Sequence, residues 1–588
     1  YEISACLVGS EMCIRDSNPS YASVDGILYN KKKSSLLVVP SAWNQTVLTV
    51  PETVTQIASE AMDNNQKVQK VILPAGLTRI DSYSFYNCRS LKTMIFQGNA
   101  PSLYSTSCLG TNDLHIYAHL SSSSDWDSLK KSMDNSSYHV NWHDLDTFDN
   151  TLKLTAESTT LHVGENASVT AFLNPLLADD ITWESSDPNT VVVSNTGRII
   201  AVAPGSAEIS ASAGDGKYTD SIAVTVTGER FTMPTSGTLE LDQTILNYTS
   251  ISTTTMQIPS EKLHGIYFLQ GSSLFFYSLV TQTYEQVYNF SDCTNAYTTG
   301  DMLYVVSQSR ISVYDLQTQS LLRQIWVSGY SGTAIGADAQ GRIYFAGYNT
   351  DKTSKYRIYL LSPEGDVLSQ VDPSVKIYNF DGFESQNGTF YMESYYDYYA
   401  WGYHHPGKGL TMGKVEENKL YLLDSSNSFM ESGLIQRDMD CLLYLCQDAY
   451  MNHQRSAEVL NDKYIVAQSV LVGMLYAYQF NGKSMDTVLS VSRPVEDDSS
   501  SYSDYNSIGV RTVYNAANDS LIVYANNNTL VEYRLKDGAE LARNTTQNNV
   551  FNLLKMDDVV VVVEKENDTY SLEFMDWRSA TELSISAE

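Results

Sequence analysis

The densest chemistry in this chain is aromatic. Between Phe390 and Gly409, FYMESYYDYYAWGYHHPGKG crowds Tyr391, Tyr395, Tyr396, Tyr398, Tyr399, Trp401 and Tyr403 into one stretch beside His404 and His405. Consecutive aromatics put rings on both faces of a strand, so one core cannot absorb them all. Exposed rings flanked by amides and carboxylates stack on the apolar faces of sugars and also anchor protein interfaces. Tyr395, Tyr396, Tyr398, Tyr399, Trp401 and Tyr403 are therefore the expected ligand-binding residues. The competing reading packs half of these rings between structural elements and leaves the rest in an ordinary loop.

Other reactive groups are less promising. Glu496, Asp497, Asp498 and Asp504 lie in the Ser-rich run VEDDSSSYSDYN, which reads as a solvated loop. It lacks the Asp-x-Asp-x-Asp-Gly order of a calcium loop, and calcium binding at 496–504 stays open. His115 and His119, and again His139 and His143, are spaced by four. On a helix that spacing aligns two imidazoles for zinc. LHIYAH and YHVNWH read as strands, in which such residues lie about 13 Å apart, too far for one metal. Cys88, Cys108, Cys293, Cys441 and Cys446 are too scattered for a disulfide framework, and buried free thiols are expected. Neither a Gly-x-Ser-x-Gly elbow, a phosphate loop nor a His-Glu-x-x-His helix occurs in residues 231–588. No catalytic residue, metal ligand or cofactor is expected.

The elements that must position these groups are legible as repeats. Pro51 returns as Pro74, Ile57 as Ile80, Met62 as Phe85, Val68 as Leu91 and Ile72 as Ile95. A fixed period of about 20–29 residues with apolar positions in register predicts a solenoid. Its units share a core that none could bury alone. VPETVTQIASEAMDNNQKVQKVIL and LPAGLTRIDSYSFYNCRSLKTMIF resemble the leucine-rich repeat of BspA-type bacterial surface proteins. The resemblance implies an opening repeat over 24–51, a terminal cap over 98–129 and an inward, packed thiol at Cys88. This module is expected over 18–148. Residues 1–17, YEISACLVGSEMCIRDS, fit no repeat and carry no continuous apolar run of signal-peptide type. They resemble translated adapter sequence, so the natural N-terminus and any export signal are expected to be missing.

Strand-like alternation continues over 149–228, in LKLTAESTTLHVGENASVTA, ITWESSDPNTVVVS, GRIIAVAPGSAEISASA and DSIAVTVT. Turn chemistry at Gly164, Asn195 to Gly197, Pro204-Gly205 and Gly214 to Gly216 separates the strands. About seven short strands suggest a small β-sandwich. ITWESSDPNTVVVSNTGRIIAVAPGSAEI resembles the bacterial Ig-like group 2 domain, with Trp183 as its buried tryptophan and Gly197 and Gly205 as its turn glycines. A rigid spacer is the function this resemblance implies.

Residues 231–588 repeat strand, polar turn and returning strand, as in FFYSLVTQTYEQV, ISVYDLQTQSLLRQI, RIYLLSPEGDVLSQV, YAYQFNGKSMDTVL, LVEYRLKDGAELAR and LEFMDWRSATEL. KLYLLDSSNSFMES at Lys419 is a weaker member. Such all-β repetition every 40 to 50 residues predicts a β-propeller of about seven blades. The segments resemble YVTN and quinoprotein-like propellers, and two unrelated sandwiches are the alternative. The expected fold class is mainly β and multidomain: a leucine-rich-repeat solenoid, an Ig-like β-sandwich and a β-propeller.

Composition narrows the partners. The 588 residues carry 38 basic and 68 acidic side chains, a formal charge of −30. Nucleic acid and anionic membranes need a basic footprint and are excluded. No apolar run of membrane-spanning length occurs in this fragment. These observations predict a non-catalytic extracellular or bacterial cell-surface protein of adhesion type, with an extracellular glycan or protein as ligand. A scaffold or sensor binding only a protein partner is the first alternative, and a propeller-based glycan-active enzyme the second.

Overall fold

Repetition in sequence becomes repetition in backbone. The computed structural model describes residues 20–577 except 41–42, 44, 104–113, 123–124, 134–139, 149–150, 175–180, 242–254, 291, 351–354, 374–375, 384–387, 401–402, 424–456, 461–463, 470–473, 481–484, 493–511, 526–527, 547 and 567–568. Its elements are overwhelmingly strands. The chain divides into two compact units: 1–156 with 169–184 and 210–222, and 157–168 with 185–209 and 223–588.

In the first unit the repeats stack as parallel strands on two sheets. One sheet runs through Gln56–Ile57, Arg79–Ile80 and Ser102–Leu103, the other through Val47–Thr49, Lys70–Leu73, Thr93–Phe96, Leu114–Ala118 and Val140–Asp144. Ile57 lies opposite Ile80, and Ile72 opposite Ile95, as the period requires. Ile57, Ile80, Met62, Phe85, Val68 and Leu91 are all buried in one continuous core. Ile72 is only half-buried, because strand alternation turns its neighbours Val71 and Leu73 inward. A polar ladder locks each repeat to the one before. Buried Asn65 donates from Nδ2 to the Pro40 carbonyl at 3.2 Å. One repeat later Cys88 holds the same place, its Sγ donating to the Met62 carbonyl at 2.9 Å, so this thiol is packed inward. The helix Asp125–Met133 buries Trp126 against Phe96, ring centroids 5.4 Å apart.

The Ig-like stretch forms two four-stranded sheets. Their orders are Lys153–Ala156, Asn166–Phe172, Arg198–Ala201, Val191–Val193, and Thr160–His162, Tyr218–Thr227, Gly205–Ala213, Ile181–Ser185. Trp183 is half-buried rather than fully enclosed, against a core of Leu152, Leu173, Ala211 and Ala213. Gly205 needs to be glycine: its φ is +154°, and a Cβ would meet Thr190 Oγ1 at 3.0 Å.

Beyond it, the second unit contains seven four-stranded antiparallel sheets among the described residues, a propeller-like succession. First strands of neighbouring sheets touch, as Asn295–Thr299 touches Tyr330–Ala337 and the latter touches Ile377–Phe383. Asn549–Met556 of the last sheet touches Thr255–Ser260 of the first, where Asn552 Nδ2 donates to Gln257 Oε1 at 2.7 Å. The succession therefore returns on itself. Its closure departs from the sequence pattern. The strand Thr569–Asp576 takes as its outer neighbour Thr238–Leu241, with Leu239 opposite Leu572. The returning strand that the motif at Leu572 predicts after residue 577 lies outside the described residues. The weak motif at Lys419 is also displaced: Lys419–Leu423 is the outer strand of its sheet, reached from Tyr403–Glu416 through Glu417 and Asn418 at φ +47° and +62°. In five sheets the outer hairpin carries a register shift, at Leu274/Phe275, Val313/Tyr314, Leu360/Leu361, Ala477/Tyr478 and Glu532/Tyr533. Such shifts increase local twist.

Buried polar groups secure the last sheets. The Glu532 carboxylate, fully buried, accepts from Asn515 Nδ2 at 2.9 Å, from Ser520 Oγ, and from Trp577 Nε1 at 2.6 Å. With Asn518 Nδ2, which donates at 3.1 Å, four neutral donors supply the solvation that burial removes. The indole of the final described residue is thereby fastened to the preceding sheet.

Within this second unit the Ig-like strands share the core of the first sheets. Val192, Ile200 and Val202 pack in one cluster with Ile258, Leu263, Tyr267 and Leu269. Gly164 sits so close that a Cβ would meet Val280 at 2.8 Å. The closing strand is testable by substitution at Leu241, which is buried against Leu572 and Phe268. Leu241→Ala is expected to cost about 2–5 kcal/mol in chemical denaturation, and Leu241→Met less than about 1.5 kcal/mol. A neutral Leu241→Ala would contradict closure by this strand.

Candidate functional site

Solenoid turns give the first candidate surface. Glu60 and Asn64 in one repeat, and Tyr83 and Asn87 in the next, all adopt positive φ, between +55° and +60°. A left-handed residue at a fixed repeat position turns the chain sharply and pushes its side chain outward. Tyr83 and Tyr86 are each 47% exposed, and their rings meet edge to face with centroids 5.6 Å apart. Amides border the pair. Asn87 Nδ2 donates to Asn64 Oδ1, and Gln66 Nε2 donates to the Asn87 carbonyl at 2.6 Å. Asp63 receives Asn64 Nδ2 at 2.7 Å, and burial holds its carboxyl above the usual range, partly opposed by that hydrogen bond. Two aromatic rings beside aligned amides and an acid make a surface suited to sugar rings or to a protein interface. Sequence reasoning did not select Tyr83 and Tyr86. The signal was present, because both stand where the preceding repeat carries the charged residues Glu60 and Asp63.

The described histidines of the two pairs meet across strands. Leu114–Ala118 and Val140–Asp144 pair in parallel, with Tyr117 opposite His143. This sets His115 Nδ1 2.9 Å from His143 Nε2, and Tyr117 stacks on His143 at 4.6 Å. His119 turns to Asp146 at 2.8 Å. Spacing within each pair could not reveal the contact, which joins members of different pairs. His139 lies outside the described residues. Among those described, no three His, Cys, Asp or Glu side chains are grouped to hold a metal.

The aromatic stretch chosen from sequence is a strand pair. Thr389–Ala400 and Tyr403–Glu416 run antiparallel, placing Tyr395 opposite Lys408, Tyr396 opposite Gly407, Tyr398 opposite His405, Tyr399 opposite His404 and Ala400 opposite Tyr403. The backbone thus brings Tyr395, Tyr396, Tyr398, Tyr399 and Tyr403 onto one hairpin. Trp401 lies outside the described residues, as do the acidic loop 496–504 and Cys108, Cys441 and Cys446. Cys293 is half-buried, its Sγ donating to the Asn295 carbonyl at 3.8 Å.

Two family models match parts of the chain. The BspA type leucine rich repeat region, in six copies, matches residues 41–125. The bacterial Ig-like domain (group 2) matches residues 150–226. No curated protein matches the chain. Among solved structures it is similar to the WD40 β-propeller domain of Doa1, at 9% identity over 59% of this chain and 98% of that one, with a TM-score of 0.34. It is also similar to a chain of a mitotic checkpoint complex, at 8% identity, 60% and 99% coverage and a TM-score of 0.35. A third is BamB from Moraxella catarrhalis, at 12% identity, 58% and 88% coverage and a TM-score of 0.30. Similarity at this level adds nothing to the strand pairing, which carries the description of the fold.

The histidine ladder makes the solenoid's end sensitive to acid. Partial burial, and then the neighbouring His115, lower the pKa of His143. The unfolded chain then takes up protons first, so stability is full above the ordinary histidine pKa of about 6.5 and is lost as pH falls below it. Thermal denaturation is expected to show a falling Tm from about pH 7 to about pH 5, and a smaller fall in His143→Phe. An equal fall in both proteins would contradict the assignment.

Proposed function

We propose that this chain is a non-catalytic recognition protein of the bacterial surface or its surroundings, binding a glycan or protein ligand. The observation that carries this reading is the joint match of one chain to BspA-type repeats and a bacterial Ig-like domain. BspA-type repeats are typical of cell-surface and secreted proteins, and adhesion is the role such surfaces serve. The Tyr83–Tyr86 pair supports it, because exposed aromatics beside amides are a recognition chemistry. No helix among the described residues is long and apolar enough to cross a membrane.

Residues 231–588 are read as a seven-bladed propeller of YVTN or quinoprotein-like type. Seven sheets with a shared closing strand support this count over two separate sandwiches. The aromatic hairpin offers it a second ligand platform at Tyr395, Tyr396, Tyr398, Tyr399, Trp401 and Tyr403. A scaffold or sensor that binds only a protein partner uses the same surfaces.

Arrays of glycans and of extracellular proteins, probed with the full chain, test the reading. The full chain is needed because the Ig-like strands complete a core of the following sheets. Saturable binding is expected, lost in Tyr83→Ala/Tyr86→Ala or in Tyr395→Ala/Trp401→Ala. Stability in the first pair should change by less than about 1 kcal/mol, since both rings are exposed. Binding to neither array, or turnover of a bound glycan, would contradict it.

A further inference from the structure

The solenoid turns put an acid beside each of the two exposed tyrosines. Glu60 and Tyr83 hold the same place in successive repeats, at φ +57° and +59°, and the Glu60 amide donates to the Ser82 carbonyl at 3.2 Å. Stacked chains of this kind lie about 4.8 Å apart, so the two side chains leave neighbouring turns in the same direction. Asp63 stands one repeat before Tyr86, and there the Asn64 amide donates to the Tyr86 carbonyl at 3.0 Å. Glu60 is exposed, whereas Asp63 is half-buried and its Oδ1 is covered. A ligand on this patch therefore touches Glu60 directly and meets Asp63 through its field.

The negative charge of the patch is not compensated from within. Among the described residues neither acid takes an ion pair. Burial, and less strongly the charge of Glu60, raise the Asp63 pKa, so the two carboxylates repel across the stack. A cation bound beside them offsets that repulsion. The rings point the same way. Tyr83 and Tyr86 meet at 90°, which makes a corner of two ring surfaces rather than the flat platform on which a sugar stacks. Ring faces attract cations, and a guanidinium suits them because it is planar and weakly hydrated. Its fork also fits a carboxylate, as the point charge of lysine does not. The formal charge of −30 on the chain draws basic segments toward it.

We propose that the corner formed by Glu60, Tyr83 and Tyr86 binds an arginine side chain presented by a protein partner, its guanidinium stacked on a tyrosine face and paired with the Glu60 carboxylate. The class of partner rests on the protein branch of the recognition reading, whereas the site rests on the ring geometry and the uncompensated acids.

Binding of the full chain to an immobilised peptide, Gly-Ser-Arg-Gly-Ser-Arg-Gly-Ser, tests it beside the same peptide carrying lysine or citrulline in place of arginine. Saturable binding of the arginine peptide is expected, weaker by about threefold or more with lysine and absent with the neutral citrulline. Tyr83→Asn/Tyr86→Ala is expected to weaken it about tenfold, and Glu60→Gln about threefold. Asn is chosen at 83 because it tolerates the local φ of +59°. Glu364→Gln, which removes an exposed acid of the second unit, should change nothing. Tm is expected to hold in every variant, since each substituted side chain is exposed. No binding of the arginine peptide, a lysine peptide bound as tightly, equal losses in Glu60→Gln and Glu364→Gln, or indifference to the tyrosine substitutions would overturn the proposal. Array binding without arginine-peptide binding would remove this site chemistry while leaving the broader recognition reading intact.

Discussion

The pairing of Thr238–Leu241 with Thr569–Asp576 is the constraint from which the larger unit follows. Four-stranded sheets placed side by side leave open edges, and an open edge invites aggregation. Here the outer strand of the last sheet comes from the beginning of the region, so the succession cannot be completed until the chain is nearly finished. The same short strand holds the preceding segment against the ring. Ten residues separate Thr227, the last residue of the Ig-like strands, from Thr238. Val192, Ile200 and Val202 join a common core with the first sheets. Three residues of a module expected to act as a spacer thus join the core of its neighbour.

Solenoid and propeller-like ring solve the same problem differently. The solenoid lets each repeat finish the core of its predecessor and adds a polar contact at every step, Asn65 to Pro40 and Cys88 to Met62. The ring closes on itself and uses buried carboxylates, Glu532 above all, to fasten its final sheets. Both leave turn residues free to vary, and that is where the tyrosines of the solenoid stand. Core positions are fixed by packing, so recognition chemistry gathers on turns and strand ends.

Local periodicity was readable and long-range register was not. The solenoid was legible because its period carries core and turn positions together: Ile57 and Ile80, Met62 and Phe85, Asn65 and Cys88. Gly197 and Gly205 were legible as turn glycines because their backbone demands it. The closing strand was not, since TLEL is four residues with no motif and its partner lies at the far end of the region. The contact between His115 and His143 depends on the register of two strands separated by a helix, which no spacing rule supplies.

Native-state hydrogen exchange of the full chain most directly tests the claim that, within the second unit, the Ig-like strands Val191–Val193 and Arg198–Ala201 and the ring are one folded body. Amides of Val191–Val193 and Arg198–Ala201 are predicted to lose protection at the same denaturant concentration as those of Gly265–Gln270 and Ser273–Ser278. Loss of protection in the Ig-like strands well before the ring would contradict it, and would return this module to the role of an independent spacer.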